Sequence, residues 1–390
     1  MSTVSIWQDT SIWPALPHRR EEADVCIIGA GIVGSTLATF LTQAGKSVIV
    51  LEVRDVALGA SGRNAGHVSV HHKAGYARAV AQFGRAAVKE ARALGFRNRA
   101  IVKGFLDAYG VWYEQPGSLT LAWNADEAKE LEADARALSA DGYDIEYYDH
   151  DPTGRGFFGG IRQSGDMATQ SYWLTTQVMA HSGATVIPNC AVRSIEQGGG
   201  IVTVHGQRAT VRAAQVCLCT NAYSRTLHPY FADKVFPTRG QMLATAPAPT
   251  RFMEMTMGCE WGYEYFRQLP DGRFIIGGWR NRHVEEEIGY NDHETTPHLQ
   301  AGLESFLHRY FPELHGLKIE HRWSGIMGFT ADGMPLVGQL PGLSNVYFAV
   351  GFTGGGMGIG PATAERTAEL MLSGTNPGVF NADRLTAVAR

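Results

Sequence analysis

The first apolar run of the chain predicts a strand, a tight turn and a helix. Residues 24–28 are mostly apolar, glycines follow at positions 29, 31 and 34, and the residues through position 42 suit a helix. A second apolar run over 48–51 predicts the next strand, and Glu52 follows it directly. This order of elements indicates a βαβ unit whose first turn is rich in glycine.

The middle of the chain alternates helical and strand patterns. Alanine, leucine and charged residues are spaced for long helices over 74–108 and for another helix over 126–141, with a strand pattern over 117–122 between them. A loop and a helix follow over 165–181. Short strand patterns then occur at 184–187, 191–195, 201–205, 209–212 and 215–222.

Strand patterns dominate residues 229–324. Alternation predicts strands at 238–246, 262–269, 273–279 and 317–323, a hairpin turn over 270–273 and one helix over 297–310. We expect an antiparallel sheet that covers a cofactor. The last apolar run, 346–350, leads into a second glycine-rich turn over 354–358 and a helical pattern to position 372.

Composition places the chain among ordinary globular proteins. Hydrophobic residues make up 44% of the 390 positions and charged residues 18%, and this length predicts two or three domains. The 34 basic and 38 acidic residues give a net charge of −4, which argues against a nucleic-acid or anionic-membrane partner. Five cysteines, an odd number, suit a reducing compartment, and Cys217 and Cys219 are interpreted as structural thiols. Because the N-terminus lacks a signal-peptide pattern, we expect a cytoplasmic protein.

The two glycine-rich turns indicate the class of ligand. Glycines at 29, 31 and 34 form G-x-G-x-x-G, and Glu52 lies where a ribose-binding carboxylate is expected. An ordinary glycine-rich loop of an α/β protein is the alternative. A nicotinamide site does not require the second turn, whereas an extended FAD molecule suits both, so the pair favours FAD.

With these motifs, the chain resembles the D-amino-acid-oxidase-like family of FAD-dependent oxidoreductases, which includes glycine, sarcosine and γ-glutamylputrescine oxidases. The resemblance covers roughly residues 20–375 and is carried by positions 29–34, 52, 59–64, 273–278, 330–335 and 354–358. It implies an α/β fold with a Rossmann-like FAD-binding domain assembled from both chain ends and an antiparallel-sheet α+β substrate domain. The implied domains are 1–80, 155–228 and 325–390 for FAD, and 81–154 and 229–324 for substrate.

By position, the resemblance also implies which residues hold FAD. The first turn and Glu52 hold the pyrophosphate and ribose, residues 61–67 run beside the flavin, and the second turn faces its pyrimidine end. The expected cofactor residues are Gly29, Ala30, Gly31, Ile32, Val33, Gly34, Glu52, Ala60, Ser61, Gly62, Arg63, Asn64, Gly66, His67, Val192, Thr220, Asn221, Gly354, Gly355, Gly356, Met357 and Gly358.

Two departures from the family pattern bear on chemistry. Relatives with covalent flavin carry a cysteine near the position of Gly325, and amino-acid-specific relatives carry an arginine there; this chain has neither over 325–329. The resemblance therefore implies non-covalent FAD and an amine or N-substituted amino acid as substrate. The candidate residues at the reaction centre are His67, Tyr265, Arg267, Trp279, Arg280 and Met327.

Several of these candidates have a structural alternative. His67 can be a hydrogen-bonding residue of the loop, and the face that carries Tyr263, Tyr265 and Arg267 can line a pocket or cover solvent. Arg267 and Arg280 are the candidates to bind a carboxylate. Arg239 is interpreted as either structural or adjacent to the flavin. A metal site of His67, His71 and His72 lacks a carboxylate, so we expect no metal.

The expected reaction is oxidation of an amine to an imine, with dioxygen reoxidising the flavin to give hydrogen peroxide. A dehydrogenase that passes electrons to a quinone or carrier protein stays open, because the scaffold does not select the acceptor. A non-catalytic FAD-binding subunit of a complex is a further alternative. The expected partners are a small-molecule amine and dioxygen.

Overall fold

The computed structural model describes residues 19–70, 75–289 and 294–385. Residues 1–18, for which the sequence indicates no role, and His71 and His72 lie outside these ranges. Within them the chain forms nineteen strands and eight α-helices. None of these helices combines the length and the apolar character that are needed to cross a bilayer.

The strands are β1 (Arg19–Ile28), β2 (Val48–Leu51), β3 (His67–Val68), β4 (Tyr113–Glu114), β5 (Ser118–Leu121), β6 (Glu146–Tyr148), β7 (Gly160–Gln163), β8 (Met167–Thr169), β9 (Thr185–Ile187), β10 (Val192–Gly198), β11 (Ile201–Gly206), β12 (Ala209–Leu218), β13 (Phe236–Thr245), β14 (Thr256–Cys259), β15 (Glu264–Gln268), β16 (Phe274–Gly278), β17 (Ile319–Phe329), β18 (Leu336–Gln339) and β19 (Val346–Val350). The helices are α1 (Ile32–Gln43), α2 (Tyr76–Phe83), α3 (Arg85–Tyr109), α4 (Ala125–Ala140), α5 (Ser171–Ala180), α6 (Val284–Glu287), α7 (Pro297–Tyr310) and α8 (Gly356–Ser373).

The first sheet is built around five parallel strands in the order β9, β2, β1, β12 and β19. β18 pairs antiparallel with β19, and the β10–β11 hairpin adds to the first half of β12. Strands from the beginning, middle and end of the chain thus share one sheet. Their carboxyl ends meet at one edge, where open α/β sheets bind ligands.

Successive side chains of β1 pack in two different cores, one on each face of this sheet. Val25 and Ile27 pack in one core with residues of α1, α5 and α8, while Cys26 and Ile28 pack in another with residues of β11. Because successive side chains of a strand point to opposite faces, a strand covered on both sides is apolar throughout.

The second sheet has the order β17, β13, β16, β15, β14, β5, β7 and β6. Neighbours are antiparallel except for the parallel β14–β5 pair. The face that carries Phe266 and Phe274 packs in one core with Leu303 and Phe306 of α7. A small sheet of β3, β8 and β4 is separate from both.

Most predicted elements match, and the differences come from strand pairing. The patterns at 209–212 and 215–222 belong to one strand, β12, because β1 pairs with it along its length. Seven strands have no counterpart among the predicted strands: β3, β4, β6, β7, β8, β14 and β18. β7 pairs with β5 and β6 in the second sheet, although the sequence boundary at 155 assigned it to the cofactor domain. We propose a division by sheet membership, with β7 counted in the substrate domain.

Candidate active site

A cavity of about 910 Å³ lies where the two large sheets meet. It is lined by residues that directly follow parallel strands of the first sheet: Gly29 after β1, Glu52 after β2, Cys219 after β12 and Phe352 near the end of β19. Residues of β13, β15 and β17 line the opposite wall. The cavity is therefore placed at the carboxyl edge of the parallel strands.

Two glycines of the first turn are required by local geometry. Gly29 has φ +105°, and an added Cβ would lie 2.8 Å from the carbonyl oxygen of Cys219. At Gly34, in the first turn of α1, a Cβ would overlap the carbonyl oxygen of Gly29. A side chain at position 29 would collide with the end of β12, and one at position 34 would push α1 away from the turn, so the two glycines allow the N-terminus of α1 to face the cavity.

Glu52 lies beside the first turn and is hydrogen-bonded to it. Its Oε2 accepts a hydrogen bond from the N–H of Ala30 at 2.9 Å, and its Oε1 accepts one from the N–H of Arg54 at 3.0 Å. Burial raises the pKa of the Glu52 carboxyl, while the two N–H donors oppose that shift. An oriented carboxylate at a cavity wall is suited to accept hydrogen bonds from ribose hydroxyls.

The turn over residues 60–66 packs on the start of α1. Oγ of Ser61 accepts a hydrogen bond from the N–H of Ile32 at 2.9 Å, and Oδ1 of Asn64 accepts one from the N–H of Gly66 at 2.7 Å. Arg63 is buried and donates to the carbonyl oxygen of Ser324 at 2.7 Å. Burial lowers the pKa of Arg63 to about 10. The turn is thereby fixed between the two sheets.

The second glycine-rich turn opens α8 at the same cavity. Gly355 is the N-cap residue, with no side-chain cap and no acidic residue in the first turn. Oδ1 of Asn221 accepts a hydrogen bond from the N–H of Gly351 at 3.0 Å, which joins this turn to the end of β12. Gly31, the N-cap residue of α1, likewise has no capping side chain, and Oγ of Ser61 accepts from the N–H of Ile32 instead.

The lining of the cavity suits a dinucleotide cofactor. The N-termini of α1 and α8 and the half-buried carboxylate of Glu52 line a single cavity, and helix N-termini favour negatively charged groups. The donor set suits a ligand with a pyrophosphate, a ribose and an electron-accepting ring. The residues present therefore fit FAD.

Most of the predicted cofactor residues line this cavity. The exceptions are Ala30, Gly34, Gly62 and Gly66, which lie behind the lining residues. The residues that line it are Gly29, Gly31, Ile32, Val33, Glu52, Ala60, Ser61, Arg63, Asn64, His67, Val192, Thr220, Asn221, Gly354, Gly355, Gly356, Met357 and Gly358.

On the wall formed by the second sheet, Tyr265, Arg280 and Met327 line the cavity. Burial raises the pKa of the Tyr265 phenol. The Arg280 guanidinium lies 4.5 Å from the ring centre of Tyr263 and 5.5 Å from that of Phe329. Among the described residues, Arg280 forms no ion pair or side-chain hydrogen bond. A half-buried cation held by two aromatic rings is available to bind an anion.

Arg267 and Trp279, predicted at the reaction centre, do not line the cavity. Arg267 is fully buried, and its Nη2 donates to the carbonyl oxygen of Thr169 at 2.8 Å. Burial lowers its pKa to about 9. Trp279 has φ +63°, which ends β16 and turns the indole onto Gly302 of α7. Neither side chain is placed to contact a ligand in the cavity.

Arg239, for which two interpretations were open, is structural. Its guanidinium donates to both carboxylate oxygens of Glu287, at 2.7 and 2.8 Å, and both side chains are buried. Gln241 donates to the same carboxylate at 3.0 Å. This ion pair joins α6 to β13 and does not line the cavity.

The sequence did not indicate two features around the cavity. Phe329, the last residue of β17, was not among the candidate residues, although its ring contacts the guanidinium of Arg280 from behind the lining. The far end of the cavity is formed by α4 and β14, including Glu127 and Asp134. Their carboxylates accept backbone N–H bonds, and burial raises the pKa of each. The charged residues of α4 are typical of a solvent-exposed helix face, so the sequence does not predict that they line a cavity.

Comparisons with known proteins show what the chain is similar to. A family model described as FAD dependent oxidoreductase matches residues 24–370. The γ-glutamylputrescine oxidoreductase of Escherichia coli is 25% identical over 89% of this chain and 83% of its own. The glycine oxidase of Bacillus licheniformis is 25% identical over 95% of this chain and 100% of its own. The solved glycine oxidase of Geobacillus kaustophilus shares the fold, with a TM-score of 0.80 at 19% identity over 94% of this chain and 99% of that one.

Proposed function

Because the chain belongs to the family of FAD-dependent oxidoreductases, we propose that it oxidises the C–N bond of an amine that carries a carboxylate, such as an N-substituted amino acid. Relatives named for an amino acid and for an amine conjugate support this class of substrate. The observation that carries the proposal is Arg280, a cation on the cavity wall with aromatic neighbours and no anionic partner among the described residues.

The residues around the cavity divide between cofactor and substrate. We propose that the first turn, Glu52 and the second turn hold FAD, and that Tyr265, Arg280 and Met327 contact the substrate. When bound, FAD accepts a hydride from the carbon next to the substrate nitrogen. Arg280 would orient that carbon by binding the carboxylate at the other end of the substrate.

The cavity wall also favours the reactive protonation state of the substrate. Only a neutral amine donates a hydride readily, because a protonated nitrogen has no lone pair to stabilise the developing iminium. Tyr265, Met327 and Phe352 line the cavity, and desolvation by such side chains lowers the pKa of a bound amine. The proposal therefore needs no dedicated general base.

We further propose that FAD is held without a covalent bond and is reoxidised by dioxygen. Gly325, Ile326 and Met327 line the cavity, and the stretch 325–329 contains no cysteine. A flavin held only by non-covalent contacts is released intact when the protein unfolds. Recovery of free FAD from acid-precipitated protein is the expected result, and flavin that stays in the pellet would contradict it.

The decisive test is an anaerobic substrate screen of the purified yellow protein. Secondary and primary amines are offered in pairs that differ only in a carboxylate, and bleaching of the flavin absorbance is followed. We expect rapid bleaching by a carboxylate-bearing member and peroxide formation when air is admitted. Bleaching without peroxide would identify a dehydrogenase, and no bleaching by any amine would overturn the proposed function.

A further inference from the structure

A second group of potential ligands lies on the surface, outside the cavity lining. His283, Glu286 and His298 place one imidazole nitrogen or carboxylate oxygen each within 4.8 Å of the others. Nε2 of His298 lies 2.9 Å from Oε2 of Glu286, and Nδ1 of His283 lies 3.8 Å from Oε1 of the same carboxylate. The two imidazole rings are 4.3 Å apart at 66°.

From this arrangement we propose that His283, Glu286 and His298 bind a divalent transition-metal ion, with Zn²⁺ as the best-matched class. Two imidazole nitrogens and one carboxylate oxygen are a ligand set that zinc prefers. Bonds of about 2.0–2.1 Å in tetrahedral geometry separate ligand atoms by roughly 3.3 Å. The two nitrogen–oxygen separations, 3.8 Å to Oε1 and 2.9 Å to Oε2 of Glu286, lie on either side of that value.

The charges in the cluster also suit a cation. The three side chains are about one-third to one-half exposed, so solvent can supply the remaining ligand. No lysine or arginine of the described residues forms an ion pair with Glu286. Within the described part of the chain, the ionisable side chains that its carboxylate contacts are the two histidines.

The backbone that carries the ligands is anchored beside each of them. Arg282, next to His283, pairs with Glu260 at 2.6 Å, and Glu287, next to Glu286, forms the buried pair with Arg239. Thr296, two residues before His298, donates its N–H to Gln241 at 2.8 Å. Fixed neighbours reduce the conformational entropy that three ligands lose when they bind one ion.

The signal for this cluster in the sequence is weak. His283 and Glu286 have the i, i+3 spacing that brings side chains together on a helix, but His298 lies in a different helix, α7. Only the packing of α6 and α7 against β13 brings the third ligand to the first two. The expectation of no metal considered a different group of histidines.

The test titrates the tag-free, chelator-treated holoprotein with Zn²⁺ in an isothermal calorimeter. We expect one equivalent to bind, and we expect H283A, E286Q and H298A each to weaken binding at least tenfold. The matched control is H315A, because His315 is an exposed histidine beside His308 without a carboxylate partner. Visible absorption of bound Co²⁺ gives a second readout of the ligand set.

Flavin absorbance and the melting temperature show that each variant is folded. Saturable binding that is lost in the three cluster variants and kept in H315A supports the site. No saturable binding to the wild-type protein, or unchanged binding in all three cluster variants, would overturn the proposal.

Discussion

Replacing Arg280 by glutamine tests the proposed substrate contact directly. The change removes the positive charge and leaves a shorter, neutral polar side chain. Tyr263 and Phe329, at 4.5 and 5.5 Å from the guanidinium, lose only a cation–π contact. Because no described carboxylate pairs with Arg280, the substitution leaves no buried anion behind, and the fold should be unaffected.

The expected magnitude follows from the lost contact with the substrate. A hydrogen bond to a charged group contributes about 1.5–3 kcal/mol, and 1.4 kcal/mol is about tenfold in an equilibrium constant. We therefore expect kcat/KM for a carboxylate-bearing amine to fall roughly 10- to 150-fold. For the matched amine without a carboxylate, kcat/KM should change less than about threefold, since that substrate never used the guanidinium.

The assay compares flavin reduction rates for such a substrate pair in the wild type, Arg280→Gln and Arg280→Lys. Lysine keeps the charge but not the two-pronged geometry, so its effect should be intermediate. Arg273→Gln is the control, because Arg273 pairs with Asp271 and Glu320 on the second sheet and does not line the cavity. An equal loss for both members of the pair, or no loss for either, would refute the assignment.

Three further predictions concern the cofactor, the pH dependence and the fold. Gly34→Ala should lower the FAD occupancy of the purified protein several-fold, as measured by flavin absorbance. The control, Gly104→Ala, should leave the occupancy unchanged, because an added Cβ there meets nothing within 4 Å. Full occupancy in Gly34→Ala would contradict the site. Burial raises the pKa of Glu264 to about 8, so the native state retains a proton that the unfolded chain loses above about pH 4.5. Stability should then fall between about pH 5 and 8 by up to about 1.4 kcal/mol per pH unit in urea unfolding, and the slope should flatten in Glu264→Gln. Arg239→Met should lower the free energy of unfolding by about 3–5 kcal/mol, because it leaves the Glu287 carboxylate buried without its ion-pair partner. The double substitution Arg239→Met with Glu287→Met should recover much of that loss.

The sequence by itself determined the elements whose cause is local. A strand, a turn and a helix follow from the apolar run of β1, the positive φ of Gly29 and the close contact of Gly34 with the carbonyl oxygen of Gly29. The second glycine-rich turn likewise precedes α8. The helix over 297–310 was predicted with the bounds of α7 for the same reason. Local propensity and periodicity suffice where neighbours in sequence make the contacts.

Tertiary structure alone decided which side chains reach the cavity. Arg267 and Arg280 were equal candidates to bind a carboxylate. Strand pairing buries Arg267 against Thr169. The left-handed backbone at Trp279 ends β16 and leaves Arg280 on the cavity wall. Likewise, His298 reaches Glu286 only because α7 packs beside α6. These placements depend on contacts between residues far apart in the chain, and a pattern of neighbouring residues contains no information about them.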